Sequence, residues 1–281
     1  MKKVGVIGFG TMGRGIALSC AKYNYEVIVF DNSNESLKNG FKILEREIET
    51  SILKEKISKD EGEKIFSKIK IGNSLNDFLN CEIVIEAIIE DLSLKQQLFF
   101  QLEKIVSQDT ILLSNTSSIS ISEIAFSSMF SNRIAGLHFF NPAFFMKLVE
   151  VIKGEKTSFE TIETIINFAK SIGKIPVSAK DSPGFIVNKI ARPFYLESLK
   201  ILEEKISTVE EIDKIVKLEG GFKMGPFELM DLIGIDINYA VSKSVYEQSN
   251  FEERFRPNEI QKRKVEKNEL GRKTKIGFYN Y

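Results

Sequence analysis

The chain has 281 residues, 43% of them hydrophobic, which is enough for one large core or two moderate ones and excludes disordered and fibrous classes. Lys plus Arg and Asp plus Glu each number 39, so the net charge is zero, which argues against a general nucleic-acid surface, since that would be clearly basic, and leaves room for a local basic patch. No apolar run approaches the length of a membrane span, and a strand pattern that begins almost at once leaves no room for a cleavable signal, so the expectation is a soluble cytoplasmic protein.

Lys3-Val-Gly-Val-Ile7 is a short β-rich run that ends in Gly8-Phe-Gly10-Thr-Met-Gly13. A helical pattern follows, with Ile16, Ala17, Cys20 and Ala21 on one face. Gly8 permits a tight turn, Gly10 lets the backbone approach a pyrophosphate, and Gly13 allows close packing of helix on strand. The helix N-terminus then offers N–H groups and a positive dipole to the phosphates. A second strand, Glu26-Val-Ile-Val-Phe30, ends in Asp31, an acid that suits the ribose hydroxyls of NAD and repels a 2′-phosphate. The expected cofactor is NAD rather than NADP.

From Asn34 to Lys70 the chain is dense in Lys and Glu, while Ile43, Leu44, Ile48, Ile52, Leu53 and Ile57 recur at helical spacing. The pattern predicts two antiparallel helices joined near Ser58-Lys59-Asp60. The charge reads as a solvated helix face, or as an arm whose Lys54 and Lys56 meet phosphates of a large anionic substrate. Ile69-Lys-Ile71 and Cys81-Glu-Ile-Val-Ile-Glu-Ala87 restore the strand pattern. They put Glu86 and Glu90 at or just beyond a strand's C-terminal end, where parallel α/β sheets place their ligands. Leu94 to Val106 is an amphipathic helix, and Thr110 to Leu113 is the strand that delivers Ser114 to Ser118. Ile134 to Leu137 is the strand that delivers His138, with further strands at Val149 to Ile152 and Pro176 to Ser178.

His138 is the only histidine in the chain, and a neutral imidazole takes up and returns a proton near physiological pH. Glu150 is the carboxylate placed to hold its second ring nitrogen, and Ser117 can donate to or accept from a substrate oxygen. A buried structural histidine is the bland alternative, and the cofactor motif upstream weighs against it. Cys20 and Cys81 have no metal spacing and read as small core residues in a reducing compartment, and no metal is expected.

Asp181-Ser-Pro-Gly-Phe185 breaks the sheet pattern before a long helix and sets the expected boundary. Residues 1–183 form a Rossmann-like, doubly wound parallel sheet with a helical-hairpin arm over about 34–70. Residues 184–281 form a smaller all-helical domain. Asn188 stands in the first turn of the long helix. Further helices are expected at Thr208 to Lys217, Pro226 to Ile233 and Asp236 to Glu247, with Phe222, Met224, Phe227 and Met230 in the core or a dimer contact.

These motifs together resemble the L-3-hydroxyacyl-CoA dehydrogenase family, its short bacterial 3-hydroxybutyryl-CoA members above all. The likeness covers essentially the whole chain. It rests on Gly8-Phe-Gly-Thr-Met-Gly13, Ser114-Asn-Thr-Ser-Ser118, His138-Phe-Phe-Asn-Pro142 and Met146-Lys-Leu-Val-Glu150. Further on it rests on Asp181-Ser-Pro-Gly-Phe-Ile-Val-Asn188, Met224-Gly-Pro-Phe-Glu-Leu229 and Gly271-Arg-Lys ahead of Gly277-Phe-Tyr279. The resemblance implies His138 as general acid/base, Glu150 as its partner, and Ser117 and Asn188 as substrate contacts. It implies that Gly8, Gly10, Thr11, Met12, Gly13, Asp31, Glu90, Lys95 and Asn115 meet the cofactor. It also implies an acyl-CoA substrate with the Lys54 and Lys56 arm over coenzyme A, and a homodimer formed through the C-terminal helices.

Two departures stand out. The family usually has Pro-Val where this chain has Phe144-Phe145, and a glycine and a basic residue near Lys275-Ile276. Because Phe144-Phe145 lies between His138 and Glu150 in sequence, it is expected to narrow the acyl pocket and favour a four-carbon substrate. The alternatives are a dehydrogenase of a free hydroxy acid and a non-catalytic NAD-binding protein.

Overall fold

The computed structural model describes residues 2–281. Contacts divide the chain into two compact units that meet between Asp181 and Ser182. In chain order the first unit contains β1 (Lys3–Ile7), α1 (Thr11–Lys22), β2 (Glu26–Phe30), α2 (Asn34–Leu53), α3 (Lys59–Ser67), β3 (Ile69–Ile71) and β4 (Ile83–Glu86). It continues with α4 (Leu92–Ile105), β5 (Ile111–Ser114), α5 (Ile121–Ile124), β6 (Ile134–Phe139), β7 (Leu148–Lys153), α6 (Phe159–Ser171) and β8 (Ile175–Lys180).

The strands form one sheet of order β3-β2-β1-β4-β5-β6-β7-β8. The central strands are covered on both faces, so β4, β5 and β6 are buried at every position and are apolar except at Glu86, Ser114 and His138 near their carboxyl ends. β8 is one of the two edge strands and is mostly exposed, which is where a sheet tolerates Pro176. Chain order reverses between β1 and β4, and ligands of open α/β sheets bind at the carboxyl ends beside such a switch point. The sheet is parallel-dominated, as expected, with one antiparallel junction near its end. β7 runs antiparallel to β6, and β8 is parallel to β7.

Two glycines of the first loop answer to close contacts, Gly8 and Gly13. Gly8 has φ +91°, and a side chain there would strike the Ala87 carbonyl at 2.5 Å, so the ends of β1 and β4 close on one another. A Cβ on Gly13 would stand 1.8 Å from the Gly8 carbonyl, which ties α1 against the turn. Cys20 of α1 is fully buried, with Ile16 and Ala17 beside it.

The predicted arm is present as α2 and α3. Ser33 caps α2 by accepting from the Ser36 amide, and Ser58 opens α3 in a reciprocal capping box with Glu61. Ser58 therefore starts the second helix rather than lying in the connection. Gly62 lets α3 approach Ile48 and Ile52, and Phe41 of α2 packs on Phe9 of the glycine loop at 5.0 Å between centroids.

The second unit is helical: α7 (Val187–Glu203), α8 (Val209–Leu218), α9 (Pro226–Ile233), α10 (Ile235–Gln248) and α11 (Glu259–Glu266). Its core joins Tyr195, Leu199, Ile212, Phe227, Met230 and Ile235. Phe227 and Met230 are core residues as expected, whereas Phe222 is 55% exposed and stacks on Phe194. Asp213 is fully buried and caps α9, accepting from the amides of Phe227 and Glu228 and from the Tyr279 hydroxyl, each at 2.9 Å. Asp213→Ala would leave three donors without their acceptor, at a cost of about 3 kcal/mol or more. Urea unfolding of the two proteins measures this, and a difference below about 1 kcal/mol would contradict the capping role.

Candidate active site

His138 occupies the second-to-last position of β6, inside the strand rather than beyond its end. In the antiparallel pairing of β6 with β7, His138 stands directly opposite Glu150. Opposed residues of an antiparallel pair have Cβ atoms about 4.5–5.5 Å apart on one face, which suits a contact between a ring and a carboxylate. His138 Nδ1 and Glu150 Oε2 are 2.7 Å apart, with His138 6% exposed and Glu150 1% exposed. The Phe140 ring lies against the imidazole at 4.6 Å between centroids.

The Ser114–Ser118 turn follows β5, next to β6. Asn115 Oδ1 accepts from the Phe139 amide at 2.8 Å, which fixes the turn to the residue after His138. Glu90 gathers the rest of the turn. Its Oε1 accepts from Thr116 Oγ1 at 2.6 Å, from the amide and hydroxyl of Ser117 at 2.9 and 3.3 Å, and from the amide and hydroxyl of Ser118, both at 3.2 Å. Ser117 is thus brought to Glu90 as well as to the end of β5.

Behind the turn lies a buried ion cluster. Lys95 is 1% exposed and donates to Glu86 Oε1 at 2.6 Å, while Glu90 Oε2 lies 3.4 Å away. Glu86 also accepts from Ser114 Oγ at 2.6 Å and from the Ile88 amide at 2.7 Å. Burial dominates at Glu86 and raises its carboxyl above the usual range despite Lys95. Burial also raises Glu90, but Lys95 and the Thr116 and Ser117 donors outweigh it, and that carboxyl is held below its usual range. Lys95 is thus enclosed and paired with two carboxylates rather than open to the cleft.

Gly8, Gly10 and Asp31 line one cavity of about 510 Å³ with Ala87, Leu94 and Gln97, at the switch between β1 and β4. Asp31 accepts from the Phe9 amide at 2.8 Å and from the Ser33 amide at 3.0 Å. Thr11, the first residue of α1, lines a different cavity with Lys54 and Lys56 of the arm. Met12 is partly buried against the core. Asn188 lies in the first turn of α7, within the second unit.

Phe144 and Phe145 line the cavities beside the arm, and neither His138 nor Glu150 lines those spaces. Lys174 holds this loop by donating to the carbonyls of Ala143, Phe144 and Met146. Sequence reasoning missed that anchor and the Glu86–Lys95 pair. Two carboxylates and one lysine within ten residues of a strand end were the only signal for the second.

Residues 3–182 match the sequence model of the 3-hydroxyacyl-CoA dehydrogenase NAD-binding domain, and residues 184–281 match that of the C-terminal domain. The chain belongs to the 3-hydroxyacyl-CoA dehydrogenase family. It is 38% identical to the 3-hydroxybutyryl-CoA dehydrogenase of Clostridioides difficile, over 99% of both chains. It is 40% identical to the 3-hydroxyadipyl-CoA dehydrogenase of Escherichia coli over its whole length, which spans 59% of that protein. The crystal structure of the (S)-3-hydroxybutyryl-CoA dehydrogenase of Ralstonia eutropha superposes with a TM-score of 0.94 at 37% identity, covering 100% of this chain and 99% of that one.

As a member of this family the chain is an NAD-dependent dehydrogenase, and its first cavity fits the cofactor. Gly10 stands at the N-cap of α1 with no side-chain cap, and no atom lies within 4 Å of where a Cβ would be. That gap leaves room for a phosphate against the helix N-terminus, and Asp31 offers a carboxylate in the same cavity. Among the described residues no helix is long and apolar enough to cross a membrane, and no cluster of metal-binding side chains is present.

Because the Glu90 carboxyl titrates below its unfolded value, its bonds stabilise the fold at neutral pH and are lost as pH falls through the folded value. Melting temperatures between neutral pH and about pH 3 should therefore fall more steeply for the native protein than for Glu90→Gln. Parallel curves for the two would contradict this role of Glu90.

Proposed function

We propose that this chain interconverts (S)-3-hydroxyacyl-CoA and 3-ketoacyl-CoA, with the four-carbon pair 3-hydroxybutyryl-CoA and acetoacetyl-CoA preferred. The observation that carries the reading is the buried His138–Glu150 pair. With Nδ1 turned to Glu150, the neutral imidazole keeps its proton there and presents its lone pair on Nε2. Nε2 takes the proton of the substrate C3 hydroxyl during oxidation and returns it to the oxygen during reduction. Glu150 holds the ring in that tautomer and stabilises the imidazolium that forms. NAD, when bound, supplies the hydride chemistry at C3. Ser117 holds the substrate oxygen, Asn188 of the second unit is a further substrate contact, and Lys54 and Lys56 of the arm meet the coenzyme A phosphates.

The short-chain preference is supported by the Clostridioides difficile and Ralstonia eutropha relatives, both 3-hydroxybutyryl-CoA dehydrogenases. The chain works as a homodimer through its second unit, where Ile190, Ile215, Leu218 and Ile237 are each at least half exposed. Its two buried, unbonded cysteines suit the reducing cytoplasm.

Oxidation of NADH with acetoacetyl-CoA is the direct assay. His138→Gln should lower turnover by about 10²–10⁴-fold while NADH still binds, since positioned proton transfer contributes on that scale. Near-normal turnover in that variant would remove His138 from the chemistry. A four-carbon substrate should show a higher kcat/KM than a ten-carbon one, and equal values would refute the chain-length reading.

A further inference from the structure

Helix α7 carries Asn188 in its first turn, and that turn gains little support from its own helix. Ile186 at the N-cap has no polar side chain to take up the first amides. Pro193 lies inside the helix, so the Lys189 carbonyl meets a ring in place of an N–H donor. Ahead of the turn two successive residues are left-handed, Gly184 at φ +71° and Phe185 at φ +50°. An aromatic residue rarely adopts that conformation. The place of the turn is therefore settled from outside α7.

Arg192 stands one helical turn beyond Asn188 on the same face, about 6 Å along the axis. It is 3% exposed, and its Nη1 donates to the Asn238 carbonyl at 2.8 Å and to Ser242 Oγ at 3.0 Å, both on α10. The Tyr195 ring lies 5.0 Å from the guanidinium carbon. Among the described residues no carboxylate pairs with Arg192, and its Nε has no hydrogen-bond partner. Burial pushes the guanidinium down to about 10. The acceptors are themselves fixed: Ser242 Oγ donates to the Asn238 carbonyl at 3.0 Å, and Gln261 of α11 donates to Asn238 Oδ1 at 2.7 Å. The same α10 abuts the chain that enters the Asn188 turn. A Cβ on Gly184 would stand 3.0 Å from Val245 of α10 and 3.3 Å from the Asn188 Cβ.

A buried charge without a counter-charge is a costly way to join two helices, and an apolar side chain of similar volume often serves stability as well or better. What the guanidinium adds is direction, since its two bonds fix α7 against α10 in one register. We propose that Arg192 is a positioning residue for Asn188, setting through α10 where that side chain meets the substrate. The inference rests on the reading that Asn188 is a substrate contact, and it names what places it.

The test joins steady-state oxidation of NADH by acetoacetyl-CoA with amide hydrogen exchange on the full chain. Arg192→Met should lower kcat/KM by about tenfold, whereas Arg192→Met combined with Asn188→Ala should match Asn188→Ala alone within about twofold. Exchange over residues 187–192 should be about tenfold faster in Arg192→Met, while α9 keeps its protection. The melting temperature should stay the same or rise. Ser242→Ala is the gentler change and should move kinetics and exchange the same way by about threefold. Independent effects that multiply in the double variant, or unchanged exchange in Arg192→Met, would overturn the proposal. A uniform rise in exchange across the second unit marks a purely structural arginine and also overturns it. Native kinetics in Asn188→Ala would remove that residue as a substrate contact, and the positioning role with it. Absence of turnover by the native protein would instead remove the reading of activity, while hydrogen exchange still decides whether Arg192 sets the turn.

Discussion

The antiparallel register of β6 and β7 is the constraint on which the site depends. It sets His138 across from Glu150, and a shift of one residue would send the carboxylate to the opposite face of the sheet. The register is fixed by burial. Leu137, Phe139, Val149 and Val151 are all enclosed, so a slipped pairing would set His138 and Glu150 against apolar neighbours and leave their buried polar atoms without partners. A sheet of wholly parallel strands would not give this directly opposed pair, because its strands meet with a different hydrogen-bond pattern. The reversal at β7 is thus a chemical device as much as a topological one.

A second network joins the cofactor side of the sheet to the serine turn. Glu86 ends β4, Ser114 ends β5, and the two side chains meet at 2.6 Å. Lys95 neutralises Glu86 and shares its charge with Glu90, which in turn gathers Thr116, Ser117 and Ser118. A buried ion pair is weak as a source of stability, but it holds its members to one geometry when every lone pair has a donor. Here the geometry so held is that of the turn which carries Ser117.

Much of this was legible from residue order. The strands Lys3–Ile7, Glu26–Phe30 and Ile69–Ile71 are bounded by glycine, acid or turn residues, so apolar run and punctuation agree. Helix α9 likewise announces itself with Pro226 at its start and Gly234 at its end. Helix α11 does not, because only Gln261 of its eight residues is buried and no apolar stripe marks it. The direction of β7 is equally hidden, since an apolar run reads the same both ways. The placing of Phe144 and Phe145 depends on Lys174, a contact across some thirty residues that local pattern does not carry.

The two cysteines have one more bearing on a protein of this kind. Burial pushes the thiols of Cys20 and Cys81 up to about 12, so at neutral pH neither ionises appreciably. Thiolate, not thiol, attacks a disulfide, and neither sulfur is open to a partner while α1 and the sheet stay packed. Among the described residues, then, the folded chain offers no sulfur that oxidised carrier thiols could capture as a mixed disulfide.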